Sequence, residues 1–78
     1  MNITQSMVFE AGSRAFKLLL EKGISFNSVE TIIEPLLLKQ REQSEELHYR
    51  TVLLLSDILE RATTEEEAIK MIQEKFPE

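Results

Sequence analysis

Four residues in this chain are of the kinds that can interrupt a helix for backbone reasons: Gly12, Gly23, Pro35 and Pro77. Their positions constrain the fold more than any other feature of the 78 residues. Between them run leucine, glutamate, lysine, glutamine and alanine, which lose little on entering a helix. No stretch sustains the period-two alternation of a strand. The reading is all-α: one domain, residues 1–78, folded as a small helical bundle.

The first helix is expected at about residues 4–22. Asn2 or Thr4 can cap it, with Gln5 completing a capping box with Asn2. Gly23 stands just past its end, where a left-handed backbone costs glycine least, and Ile24 can fold back on Leu19 or Leu20. One face carries Val8, Ala11, Ala15, Leu18 and Leu19, and a neighbouring face carries Phe9, Phe16 and Leu20. Ala11, Gly12 and Ala15 form a shallow groove where another helix can approach. Gly12 otherwise costs about 1 kcal/mol inside a helix, so packing is the expected reason for it.

Asn27, with Glu30 three residues later, reads as the capping box of a second segment. A long central helix is expected at about residues 28–62, kinked or broken near Pro35. A short C-terminal helix follows at about 64–76. Thr63 or Thr64 caps it, Glu65, Glu66 and Glu67 meet its dipole, and Pro77 ends it. Its apolar stripe is Ala68, Ile69, Ile72 and Phe76.

The central helix turns on the stretch LLLKQREQSEELHYRTVLLL, residues 36–55. Its middle, Lys39–Glu46, holds no apolar residue and no Gly, Pro, Asn or Asp to shape a tight turn. Ser44, followed by Glu45 and Glu46, is the single signal for a break. Against it, the residues are good helix formers and Glu46–Arg50 and Asp57–Arg61 are favourable pairs four residues apart. Continuity is therefore the expectation. Leu36 and Leu54 then share a face about 27 Å apart, too far for one small core to serve both. A second chain would supply the missing burial, making the protein a homodimer. A heptad register with Leu37 at its first position places Gln40, Ser44, Thr51 and Arg61 on the seam, so a bundle fits better than a zipper. The expected self-association residues are Leu36, Leu37, Leu47, Leu54 and Ile58, with His48, Tyr49 and Arg50 at the margin. Leucine triplets at 18–20, 36–38 and 53–55 are expected to mark helices buried over more than one face.

Charge is uneven. Residues up to Arg41 carry five basic and four acidic side chains; those from Glu42 onward carry four basic and ten acidic. An acidic half repels phosphate backbones, so nucleic acid is not the expected partner. Exposed Glu42, Glu45, Glu46, Glu65, Glu66 and Glu67 are candidates to meet a basic protein. No apolar run approaches the ~20 residues of a membrane span, and the N-terminus lacks the pattern of a secretory signal. A soluble, cytoplasmic protein is the expectation.

Chemistry-bearing motifs are sparse. There is no cysteine and one histidine. Glu45 and His48 form an E-x-x-H pair of the kind di-iron bundles use, but in the most polar part of the chain rather than an apolar interior. No glycine-rich phosphate loop or nucleophile constellation is present, so no catalytic, cofactor or metal residue is assigned. LEKGISFNSVETII, residues 20–33, resembles a helix-turn-helix in spacing, with Gly23 in the turn and Val29 and Ile32 as core positions. That resemblance implies phosphate contacts from Arg14, Lys17 and Lys22 and base reading from the second helix. The latter offers Ser28, Glu30, Thr31 and Glu34 and no Arg or Lys, Pro35 closes it, and Leu19 stands where the motif has a small residue. The preferred expectation is a non-enzymatic helical interaction module: a regulator, inhibitor or assembly adaptor acting on a protein partner. The alternative is a small DNA-binding regulator using residues 14–34.

Overall fold

Each of the four helical segments begins at a hydroxyl side chain. In the structure, a computed structural model that describes residues 2–77, the Thr4, Ser25, Ser44 and Thr64 hydroxyls accept from the backbone N–H three residues on. The donors are Met7, Ser28, Leu47 and Glu67, at 3.1, 3.2, 3.0 and 3.1 Å. A helix start leaves its first N–H groups without partners, and a serine or threonine satisfies one of them. The segments are α1 (Gln5–Glu21), α2 (Phe26–Ser28) continuing through a π turn (Val29–Ile33) into α3 (Glu34–Gln43), α4 (Glu45–Arg61) and α5 (Glu65–Lys75). No strand occurs among the described residues, so the all-α bundle stands.

Gly23 ends α1 as the sequence indicates, with φ +65°, and Ile24 N–H reaches back to Leu19 C=O at 3.0 Å. The next start is Ser25 rather than Asn27. Its hydroxyl faces the free N–H of Ser28, while Asn27 already lies inside the first turn. Pro35 neither breaks nor ends the helix. The preceding π turn is closed by Glu34 N–H to Val29 C=O, and the wider turn accommodates a ring that lacks a donor.

The break comes at Ser44 instead, which corrects the continuous helix expected over residues 28–62. Ser44 is extended (φ −169°, ψ 155°). Its N–H closes α3 on Gln40 C=O, and its C=O and hydroxyl open α4 on His48 and Leu47. One residue thus serves both helix ends, and polar Lys39–Gln43 needs no Gly or Pro to stop. An unbroken rod over residues 28–62 would run about 52 Å, whereas the longest extent of the molecule is 34 Å. Turning at Ser44 folds α3 onto α4 and lets one chain bury what a rod would need two to bury.

Helix α4 is the centre. Leu55, Ile58, Leu59 and Ala62 bury against Ile33 and against Ala68 and Ile72 of α5. Leu18, Leu19, Leu36, Leu37, Ile69 and Phe76 pack around them half-buried. A second cluster joins Ala11 and Ala15 of α1 to Val52, Leu37 and Tyr49. The small alanines let α1 approach α4 closely, as the sequence indicates, but Gly12 has no part in it. None of the leucine triplets is buried throughout: Leu20, Leu38, and both Leu53 and Leu54 face water. A helix packed on one side keeps only part of such a run inside.

Candidate functional site

Helix α1 is apolar on two sides, and the core takes one of them. At 100° per residue, Ala11, Ala15 and Leu18 point to the core, while Phe9, Phe16 and Leu20 point roughly 150° away. Those three align within about 40° along a stripe about 16 Å long. They are 74%, 62% and 68% exposed, respectively. A surface helix ordinarily carries charge opposite its apolar face, so large exposed side chains there single out this face as the candidate site.

The borders of the stripe differ in character. On one side lie Glu10 and Lys17, both exposed. Ion pairs among the described residues join Arg14 to Asp57 and Glu60, and Glu46 to Arg50, so neither Glu10 nor Lys17 has an ionic partner there. On the other side Gly12 is exposed, and a Cβ built on it would meet nothing within 4 Å. No contact among the described residues explains this glycine in mid-helix.

A concavity of about 740 Å³ lies between the π turn with α3 and the end of α5. Ile32, Pro35, Leu36 and Phe76 line it, together with Lys39 and Lys75. Its size suits a small ligand, but no buried polar group converges on it.

The self-association residues expected from the sequence do not form one outward face. Ile58 is 3% exposed and belongs to the intramolecular core, where α5 and the π turn cover it. Leu36 and Leu37 are half-buried against the same core. Leu47 and Leu54, each 37% exposed, stay at the edge of α4. Tyr49 packs on the α1–α4 cluster, His48 is half-buried, and Arg50 is exposed.

Among the acidic candidates, three serve the fold. The Glu65 carboxylate accepts from Ser25 N–H, tying the start of α5 to the start of α2. This bond, with further help from the Ser25 and Ser28 hydroxyls, holds its pKa below the ordinary glutamate value against a small opposing effect of burial. Glu67 accepts from Thr63 N–H at 3.2 Å while its own N–H bonds Thr64, a reciprocal cap. Glu46 lies 3.8 Å from Arg50. Glu42, Glu45 and Glu66 are exposed. Glu45 and His48 have no further ligands at hand: no group of three or more His, Cys, Asp or Glu gathers among the described residues.

The helix-turn-helix-like corner exists as a corner, but its cations are engaged. Arg14 donates to Glu60, and Lys22 Nζ lies 3.4 Å from the Glu60 carbonyl oxygen. Lys17 alone of the three has no such contact among the described residues. Ser28 is bonded to Ser25, and Thr31 turns its hydroxyl back to Asn27 C=O.

The outer face of α1 was visible in the sequence as a second apolar stripe. What the sequence did not supply was which stripe faced inward. No helix among the described residues is long and apolar enough to cross a membrane. No protein-family model, curated protein or solved structure matches this chain.

Proposed function

We propose that the chain is a non-enzymatic helical interaction module, a small regulator, inhibitor or adaptor that presents the outer face of α1 to a protein partner. The observation that supports this is the exposure of Phe9, Phe16 and Leu20 on one stripe opposite a core-facing stripe already filled. Aromatic side chains clustered at a surface are the usual anchors of protein recognition. The DNA-binding alternative has less support. Arg14 and Lys22 are drawn to Glu60, and the base-reading positions Ser28, Glu30, Thr31 and Glu34 hold two glutamates and no cation, Lys39 and Arg41 lying further along the continuing helix.

The reading is tested with wild-type, Phe16→Glu and Lys70→Glu proteins as baits in extracts of the source cells. Both substituted positions are exposed, so helix content should match in circular dichroism. A partner retained by wild type and Lys70→Glu and lost by Phe16→Glu is the expected result. Identical partner sets for all three would sink the proposal.

A further inference from the structure

Resting on the reading above, we infer that the partner for the outer face of α1 is a second copy of the same chain, docked antiparallel through its own α1 about a two-fold axis. In heptad terms Phe9 and Phe16 take one seam position, while Ser6, Ser13 and Leu20 take the other. Antiparallel pairing sets Phe9 against Leu20 of the second copy and Phe16 against its Ser13. Large then meets small at the centre, and two apolar side chains meet at each end. Parallel pairing would stack like on like, leaving serine against serine.

The flanks agree with the same orientation. Glu10 and Lys17 share one border, and an antiparallel two-fold brings that border against itself. Glu10 of each copy then faces Lys17 of the other, giving two ion pairs from charges that lack ionic partners among the described residues. On the opposite border Gly12 meets the second copy, and a residue without a side chain allows close approach. Parallel pairing would face Glu10 and Lys17 with Gln5, Gly12 and Leu19, which carry no charge. Self-complementarity of charge, bulk and the bare glycine thus select one occupant and one direction.

With whole side chains near 200 Å², the three exposed residues offer about 400 Å² per copy, rising toward but not beyond the ~800 Å² of a standard interface once the borders are counted. Area alone does not fix affinity, but a surface of this size belongs with weak, transient pairs, so a dissociation constant in the micromolar range is the expected outcome.

Sedimentation equilibrium of the full chain from about 1 μM to about 1 mM spans that range. The mean mass should climb from 9.1 kDa toward twice that value. Phe16→Glu should weaken association at least about thirtyfold, and Leu20→Ser gives a second reading should the first variant alter helix content. Glu10→Lys or Lys17→Glu alone sets like charges face to face and should weaken the dimer about tenfold. The double swap should restore it, and mixing the two single variants should yield heterodimer, an outcome specific to antiparallel self-pairing. A mass of 9.1 kDa throughout, association that survives Phe16→Glu, or charge swaps that neither weaken nor rescue overturn the inference. A chain that stays monomeric while a stripe-dependent partner is captured overturns self-pairing and leaves the interaction module standing.

Discussion

At the scale of the residue, the two glycines have opposite roles. Gly23 sits at φ +65°, where a Cβ is strained, so Gly23→Ala should cost about 1–2 kcal/mol. Gly12 lies inside a helix with open space around it, so Gly12→Ala should stabilise the monomer by about 0.5–1 kcal/mol. Urea unfolding of both variants at a concentration well below dimerisation checks the pair; equal effects would contradict it. Ser56 gives a similar contrast. Its hydroxyl is fully buried and has no hydrogen-bond partner among the described residues. Removing an unsatisfied hydroxyl recovers its desolvation penalty, so Ser56→Ala should raise stability by about 1 kcal/mol. A loss of stability would mean that the hydroxyl has a partner, such as an ordered water.

At the scale of the element, hydroxyl caps divide the chain into helices. Ser44 is the informative one, because it alone interrupts a run of good helix formers. Ser44→Ala removes the acceptor for Leu47 N–H and should cost about 1 kcal/mol. In a domain of this size that lowers the thermal midpoint by about 4–8 °C. Differential scanning calorimetry reads this directly, and an unchanged midpoint would show that packing alone sets the turn. The start of α5 has a pH signature as well. The Ser25 N–H holds the pKa of Glu65 below the ordinary value in the folded state. The stabilisation is therefore fully present above the unfolded glutamate value of about 4.3 and is lost as pH falls through the lower folded value. Glu65→Gln should flatten the stability curve below about pH 5 relative to wild type. Parallel acid limbs for the two proteins would refute the assignment.

At the scale of the whole molecule, α4 organises the bundle because it alone meets α1, α3 and α5. Its buried residues are correspondingly sensitive. Ile58→Ala should cost about 2–5 kcal/mol, a large share of the stability of a domain this small. Leu54→Ala, at the edge of the same helix, should cost about 1 kcal/mol. Chemical denaturation of the two variants separates a core position from a rim position, and equal losses would place Leu54 in the core as well. The radius of gyration, 11.9 Å, is that of a folded single chain of this length. The turn at Ser44 therefore removes the reason for a dimer built along a central rod, and the self-association inferred above runs instead through the face of α1 left uncovered.

Much of the local chemistry that acts over three or four residues was legible in the sequence. Gly23 and the apolar positions of α1 and α5 announce their roles without neighbours, and the first and last caps narrow to Asn2 or Thr4 and to Thr63 or Thr64, because left-handed turns, helical stripes and caps are settled by the backbone nearby. The second cap was read at Asn27, two residues past Ser25, because both side chains can accept from a helix start. Ser44 was readable as the one signal for a break, but the run of good helix formers around it outweighed that signal. The choice between a straight and a folded α3–α4 rests on what Leu36 and Leu37 meet after the turn, and that burial is not encoded in the turn itself. The same holds for α1. Its sequence carries two apolar stripes of similar strength, and only packing against Val52 and the core of α4 decided that Ala11, Ala15, Leu18 and Leu19 go inside while Phe9, Phe16 and Leu20 remain in water. Alanines let two backbones come close where phenylalanines would hold them apart, so tertiary contact selected the slimmer stripe and left the bulkier one in water.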